Sequence, residues 1–233
     1  MSKDLREIFD SRAESLNDHD PWRYGSVLSK KTDLIELSWV KDNFISHGSL
    51  LDLGCGTGRH VIELAKENSR MNFLATDFAP NNVRVARKLV EESGVTNITT
   101  SVMDAKKVST IKEEYENILC IGLTQYIFDD YELESFFKDC SRITTPGGLM
   151  IMKNPITWGD SYISRKYSPL LKSDYASKYR SCDDVIRAFS KYYELMKIER
   201  VFTSRDLTEI ELEQVEDSPD KKQMWFLLRS KNI

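Results

Sequence analysis

Three glycines at alternate positions, Gly54, Gly56 and Gly58, follow the apolar run Leu50–Leu53 in "LLDLGCGTGRHVIELA". Glycine opens left-handed backbone conformations and lets the main chain approach a ligand closely. Asp52 stands two residues before the first of them. Its carboxylate is placed to accept hydrogen bonds from turn N–H groups or from a ligand ammonium. A dinucleotide fingerprint needs its third glycine at position 59, which here is Arg59. The pattern therefore suits a zwitterion better than a pyrophosphate. Two further acids recur downstream. Asp77 comes 19 residues after Gly58, where an acid ending a second strand can take both ribose hydroxyls. Asp104 in "VMDA" is placed to accept from an adenine amino group, with Met103 or Phe78 packing on the ring. Each acid also has a plainer reading, because Asp commonly caps the helix after a strand.

These residues need elements to bring them together. Leu50, Leu51 and Leu53 read as a strand, and Val61, Ile62, Leu64 and Ala65 resume with helical spacing. Strand and helix then alternate: strands at 71–77, 97–102, 115–123 and 149–153, and helices over Val83–Val90 and Leu133–Ile143. Val185, Ile186, Phe189 and Tyr193 predict one more helix. Two closing strands, 195–202 and 223–230, are joined by a stretch whose residues 206–220 hold seven acids and no base, read as a nonhelical, solvated connection. Such βα alternation predicts a parallel sheet covered on both faces, and a closing pair with a short link predicts an antiparallel last strand. A ligand belongs at the carboxyl ends of the early strands, where Asp52, Asp77 and Asp104 converge. Ahead of the sheet, Leu5, Ile8, Phe9 and Ala13, then Leu34, Leu37, Val40 and Phe44, predict two helices broken by "NDHDPWRYGS". Residues 1–48 are thus a helical lid and 49–233 the main domain.

At 233 residues with 40% hydrophobic residues, the chain can bury a sizeable core. A net charge of -4 with 30% charged residues describes a soluble chain with no global pull toward nucleic acid. The four cysteines, at 55, 120, 140 and 182, form no C-x-x-C pair, which disfavours zinc. Buried reduced thiols fit a reducing, cytoplasmic setting. The first residues carry charges throughout and are no signal peptide, and no window approaches a membrane span. The histidines, at 19, 47 and 60, are scattered, so no metal site is expected. His60 opens a helix and reads as a surface or cofactor-neighbouring residue rather than a base.

"LLDLGCGTG", Asp77 in "LATDFAP", "VMDA", the strand "ILCIGL" and "TPGGLMIM" together resemble the class I, Rossmann-like S-adenosylmethionine-dependent methyltransferases. The resemblance covers residues 48–155, and the last two strands suit that family's closing hairpin. It implies a seven-stranded, mostly parallel, doubly wound α/β sheet of order 3-2-1-4-5-7-6 with the last strand antiparallel. S-adenosylmethionine is the implied cofactor. Asp52, Gly54 and Gly56 would hold its methionine moiety, Asp77 its ribose, and Asp104 its adenine, with Phe78, Met103, Ala105 and Gly122 completing the contacts. Asn117 stands where many members of the family carry an acid.

The acceptor is expected after the fourth strand, where Thr124 contacts the substrate and Gln125 and Tyr126 serve as catalytic residues. The N-P-P-Y type motif of DNA and protein-amide methyltransferases is absent there. Residues 156–181 look like an acceptor-binding insertion: aromatics such as Trp158, Tyr162 and Tyr167 alternate with cations including Arg165, Lys166, Lys172, Lys178 and Arg180. With Trp22, Arg23 and Tyr24 they would close over a small-molecule or glycan-like, anionic acceptor; a solvated loop is the plainer alternative. The sequence thus predicts methyl transfer to oxygen or nitrogen, with no membrane partner, and assigns no oligomeric state. A protein amino-terminal methyltransferase, which residues 121–154 also resemble, and a noncatalytic cofactor-binding subunit are the alternatives. The nicotinamide oxidoreductase reading is disfavoured by Arg59.

Overall fold

A computed structural model describes residues 5–15, 26–168, 173–215 and 220–231. Trp22, Arg23, Tyr24 and Lys172 lie outside them, as does the side chain of Lys166. The chain starts with helices α1 (Leu5–Ser15) and α2 (Val27–Asn43), the latter capped by the Ser26 side chain, which accepts from the Ser29 N–H. There follow β1 (Ser49–Leu53), α3 (Arg59–Glu67), β2 (Asn72–Asp77), α4 (Pro80–Ser93), β3 (Ile98–Val102), β4 (Tyr115–Ile121), α5 (Asp130–Arg142) and β5 (Thr144–Thr157). The carboxyl-terminal part adds β6 (Tyr162–Ser168), β7 (Ser173–Ser181), α6 (Cys182–Phe189), β8 (Tyr193–Arg200), α7 (Glu209–Gln214) and β9 (Lys221–Ser230).

The main sheet runs β3-β2-β1-β4-β5-β9-β8, with β9 antiparallel to both β5 and β8. With the hairpin β6–β7 set aside, this is the order 3-2-1-4-5-7-6 expected from the resemblance. The strands are buried on two faces, so neighbouring residues serve different layers. Leu51, Ile118, Cys120 and Met150 pack with Phe136, Phe137 and Phe189 of α5 and α6. Leu50, Leu119, Ile151 and Trp225 pack with side chains of α2, α3 and α4. All four cysteines are free, and Cys120 and Cys140 are buried. Among the described residues no helix is long and apolar enough to cross a membrane.

Three local expectations are corrected. The alternative of a solvated loop over residues 156–181 does not hold: β5 runs on to Thr157, and β6 and β7 pair antiparallel, with Tyr162 opposite Tyr179 and their rings stacked 5.3 Å apart. The connection before β9 holds a helix, α7, started by a capping box in which Thr208 and Glu211 bond reciprocally. Finally, α6 ends at Phe189, and Tyr193 opens β8.

The place of the hairpin follows from strand lengths. β4 pairs with β5 only as far as Lys153, whereas β9 accompanies β5 to Thr157. The edge of β5 beyond Lys153 is therefore open on the β4 side, and β7 takes it, pairing Arg180 and Ser181 with Ile156 and Thr157. This sets the hairpin above the carboxyl end of β4.

Asn117 ties the amino-terminal segment to the sheet. It is fully buried in β4; its amide donates to the Ile45 carbonyl and accepts from the Ile45 N–H, both at 2.8 Å. A carboxylate could accept from the Ile45 N–H but could not donate to the Ile45 carbonyl. Asn117→Asp is expected to lower unfolding stability by about 2–4 kcal/mol, since it orphans a carbonyl and places a charge where water does not reach. Urea unfolding at neutral pH checks this.

Candidate functional site

The carboxyl ends of β1, β2, β4 and β5 open into a crevice with two lobes, which share Phe9, Gly54, Asp77, Gly122 and Tyr126. The larger lobe, about 420 Å³, is mostly apolar: Phe78, Met103, Ala105, Ile127 and Phe128 line it, with Asp104 and Lys106. The smaller, about 280 Å³, is polar and is lined by Asp52, Glu36, Arg59, His60 and Lys153 among others.

The turn after β1 explains its glycines. Gly54 has φ 77°, and a Cβ there would fall 2.6 Å from Leu123 Cδ1. Gly56 has φ 57° and no atom within 4 Å of where its Cβ would point, so it leaves open space in the smaller lobe. The turn is pinned to β2: the Gly54 and Cys55 N–H groups donate to the Thr76 carbonyl at 2.8 and 2.9 Å. Gly56 N–H donates to Asp77 Oδ2 at 3.0 Å.

Asp77 also accepts from the Ala79 N–H at 2.9 Å and the Asn82 amide at 3.2 Å. It thus fixes the start of α4 as well as the glycine turn, while facing both lobes. The cap reading and the ligand reading are compatible here, because a carboxylate has lone pairs for both. Asp104 bonds the Lys106 N–H at 3.0 Å, capping the 3-10 turn 105–110, and stands at the wall of the larger lobe.

Asp52 is buried, and its carboxyl is pushed up to about 7, first by desolvation and then by the Asp77 charge. Burial raises Asp77 as well, against the hydrogen bonds it accepts. Two neighbouring buried carboxyls are a site for positive charge, and the open space beside Gly56 gives a cation room to reach them. The donor set and the two-lobed shape fit a long ligand with an aromatic end and an aminoacyl end.

The turn after β4 carries Tyr126 on the wall of both lobes, its ring edge-on to Phe9 at 5.1 Å. Gly122 is there too, its N–H held by the Lys153 carbonyl at 3.0 Å. Thr124 instead turns inward, buried, donating to Asn154 Oδ1 at 2.6 Å, and Gln125 keeps Oε1 buried without a partner. Neither lines the crevice. Arg165 is exposed on β6, away from both lobes.

Several participants were not singled out from the sequence. Phe9, Leu5 and Arg6 of α1 wall the larger lobe. Asp33 and Glu36 of α2 are buried. Their signal was present: they share the helical stripe 33, 36, 37, 40 with Leu37 and Val40, so two acids sit on an apolar face. Arg180, grouped with the acceptor-binding cations, is instead buried. It donates to the carbonyls of Ile127 (2.6 Å) and Thr124 (3.3 Å) and to Asp130 (2.8 Å). Lys178 Nζ adds bonds to the Phe128 carbonyl and Asp130 at 2.9 and 2.8 Å. The hairpin therefore braces the turn that presents Tyr126.

Comparison with known proteins agrees with this arrangement. Residues 50–148 match the family model described as "Methyltransferase domain". A 2-heptyl-1-hydroxyquinolin-4(1H)-one methyltransferase of Mycobacteroides abscessus is 30% identical over 158 residues, 65% of each chain. A ubiquinone biosynthesis O-methyltransferase of Methylocella silvestris is 31% identical over 101 residues, 43% of this chain and 37% of its own. The chain thus spans about a third to two thirds of these relatives' lengths. Among solved structures, geranyl diphosphate C-methyltransferase from Streptomyces coelicolor A3(2), in complex with Mg2+, geranyl diphosphate and S-adenosyl-L-homocysteine, superposes with a TM-score of 0.65. Its identity is 14%, over 84% of this chain and 79% of that one. Residues 50–148 thus match a methyltransferase-domain model, and the fold is the Rossmann-like one shared by S-adenosylmethionine-dependent methyltransferases.

Proposed function

We propose that this chain is a class I methyltransferase that binds S-adenosylmethionine across both lobes and transfers its methyl group to an oxygen or nitrogen of a small-molecule acceptor. One observation carries the reading: an apolar lobe and an acidic, polar lobe meet at Asp77 and Gly54, on the ends of the early strands. Phe78, Met103 and Ala105 would enclose the adenine, with Asp104 at its amino group. Asp77 would take the ribose, and Asp52 with the turn at Gly54 and Gly56 the aminoacyl end. The sulfonium methyl is already an activated electrophile, so the protein's part is alignment and exclusion of water. Tyr126 and Gly122 line both lobes where they join; the transferred methyl would lie there, with Tyr126 orienting the nucleophile.

The polar lobe favours a small hydroxylated acceptor. Of the two relatives named above, one is an O-methyltransferase and the other a hydroxyquinolinone methyltransferase. A glycan-like, anionic acceptor gathered by Arg165 and Lys166 is the weaker form of the reading, because Arg165 lies away from the crevice. Residues 1–48 serve as a cap over the domain of residues 49–233: Phe9 and Glu36 reach the crevice from α1 and α2. A cytoplasmic location is consistent with the free cysteines.

Asp52 gives the cofactor reading a pH signature. Its folded-state value, about 7, lies above the ordinary 3.8. The ligand-free chain is therefore stabilised below about pH 4 relative to higher pH, and loses that contribution as pH rises toward 7. A cationic ligand prefers the ionised carboxylate. S-adenosylmethionine affinity is expected to rise from pH 5 to 7 and then level, with proton release at pH 6. Calorimetry in buffers of differing ionisation enthalpy measures both.

A methyl-release assay tests the function itself. The panel is 1-hydroxyquinolin-4(1H)-one, simple phenols, amines and a peptide with a free amino terminus. Transfer to hydroxyl compounds supports the reading. Transfer to the peptide alone makes this a protein methyltransferase. S-adenosylhomocysteine binding without transfer to any member makes it a noncatalytic subunit.

A further inference from the structure

The polar lobe contains a buried constellation to which the cofactor reading gives no role. His60 sits in the first turn of α3, its side chain 12% exposed, and Nε2 is buried with no hydrogen-bond partner. Two buried carboxylates of α2 face that nitrogen, Asp33 Oδ1 at 3.5 Å and Glu36 Oε2 at 3.9 Å. Both carboxylates are anchored from other elements. Lys153 of β5 holds Glu36 Oε1 at 2.6 Å, and Arg59 of α3 lies 3.2 Å from Asp33 Oδ1. Glu36, Arg59, His60, Lys153 and Tyr126 all line the smaller lobe. Two carboxylates balanced by two cations leave no excess negative charge to attract a divalent ion, so the group is better suited to handling a proton.

We infer that His60 is the proton acceptor for a neutral hydroxyl in the smaller lobe, with Asp33 and Glu36 orienting the ring and stabilising its protonated form. This rests on the methyl-transfer reading above and narrows it: the acceptor is an un-ionised O–H compound, phenolic or N-hydroxylated. With the carboxylates at Nε2, the neutral tautomer that carries its proton there would leave the lone pair on Nδ1. The step balances. The acceptor O–H proton passes to Nδ1 as the oxygen bonds the methyl carbon; the carbon–sulfur bond breaks with its pair staying on sulfur; the imidazolium then releases the proton to water. Burial holds His60 below its ordinary value, Arg59 and Lys153 act the same way, and Asp33 and Glu36 oppose them. The ring is consequently neutral at pH 7. The amino-terminal helix α2 thus supplies half of the proton-transfer machinery as well as a cover.

Two measurements on the full chain test this. The first needs no acceptor. The chain has three histidines, so NMR of histidine-labelled protein bound to S-adenosylhomocysteine, with His60→Gln for assignment, isolates one ring. The expected resonance titrates below an ordinary histidine, shows the Nε2–H tautomer, and titrates lower still in Asp33→Asn. A ring protonated at pH 7, or one with its proton on Nδ1, overturns the proposal. The second measures methyl transfer to phenol, 4-nitrophenol and 1-hydroxyquinolin-4(1H)-one. His60→Gln is expected to lower kcat on phenol about 100-fold or more, to lower it far less on the acidic 4-nitrophenol, and to keep S-adenosylhomocysteine Kd within about twofold. Equal losses on both phenols would mean that His60 only shapes the lobe. If wild type methylates none of the three, the acceptor reading fails, and the titration still decides the state of His60.

Discussion

Asp77→Ala is expected to weaken S-adenosylhomocysteine binding by about 2–3 kcal/mol, on the order of 30- to 150-fold. The carboxylate acts twice in the site. It holds the glycine turn through the Gly56 N–H and the start of α4 through the Ala79 N–H. Facing both lobes, it keeps acceptor capacity for the ribose hydroxyls. Removing it would lose the proposed charge-assisted contact to the ligand and loosens the turn against which the aminoacyl end would lie. Asp77→Asn keeps one of the two acceptor oxygens, since the Gly56 and Ala79 N–H groups bond different ones, and gives up the charge. Calorimetry should place Asn between wild type and Ala. Unchanged affinity in both variants would remove Asp77 from the ligand site and leave it the role of a helix cap.

Arg180→Met is expected to lower unfolding stability by about 2–4 kcal/mol. The guanidinium is 1% exposed and satisfies the buried carbonyls of Thr124 and Ile127. An orphaned buried acceptor costs about 1–3 kcal/mol. Asp130, its other partner, is mostly exposed and can return to water, so the full penalty of a broken buried ion pair does not apply. Arg180→Lys retains the charge and loses the planar fork; it should recover less than half of the loss. Because the braced turn carries Tyr126, both variants should also reduce methyl transfer more than cofactor affinity. Urea unfolding with wild-type stability would show that the turn holds without the hairpin.

The main sheet was legible because its signals are local. Apolar runs that end in glycine or aspartate, followed by 3.6-residue periodicity, mark each βα unit from Leu50 onward, and the run of three glycines needs no tertiary information to be read. Asp52, Asp77 and Asp104 follow from strand-end positions alone, and the structure brings all three to one crevice. The pairing of residues 156–181 is not legible for a physical reason. Their cations and aromatics read as one set in the sequence, but a strand alternates faces. In β7, Lys178 and Arg180 turn toward the β4 turn and Tyr179 is buried, whereas Arg165 of β6 faces water. Only the free edge of β5 beyond Lys153 decides which neighbour β7 meets, and that depends on strand lengths that composition does not give. The helix α7 had its signal in Thr208 and Glu211, hidden by the acidity of the segment. His60 gains its partners only in the fold, because Asp33 and Glu36 are distant from it in sequence; their place on the apolar stripe of α2 is the available clue.

The central claim is that the two lobes form one S-adenosylmethionine site. Calorimetric titration of the full chain with S-adenosylhomocysteine, and separately with NADH, tests it most directly. The account predicts one S-adenosylhomocysteine per chain, binding weakened at least 30-fold by Asp77→Ala, and no heat with NADH. Binding of NADH with none of S-adenosylhomocysteine would contradict it, as would S-adenosylhomocysteine binding that Asp77→Ala and Asp77→Asn leave untouched.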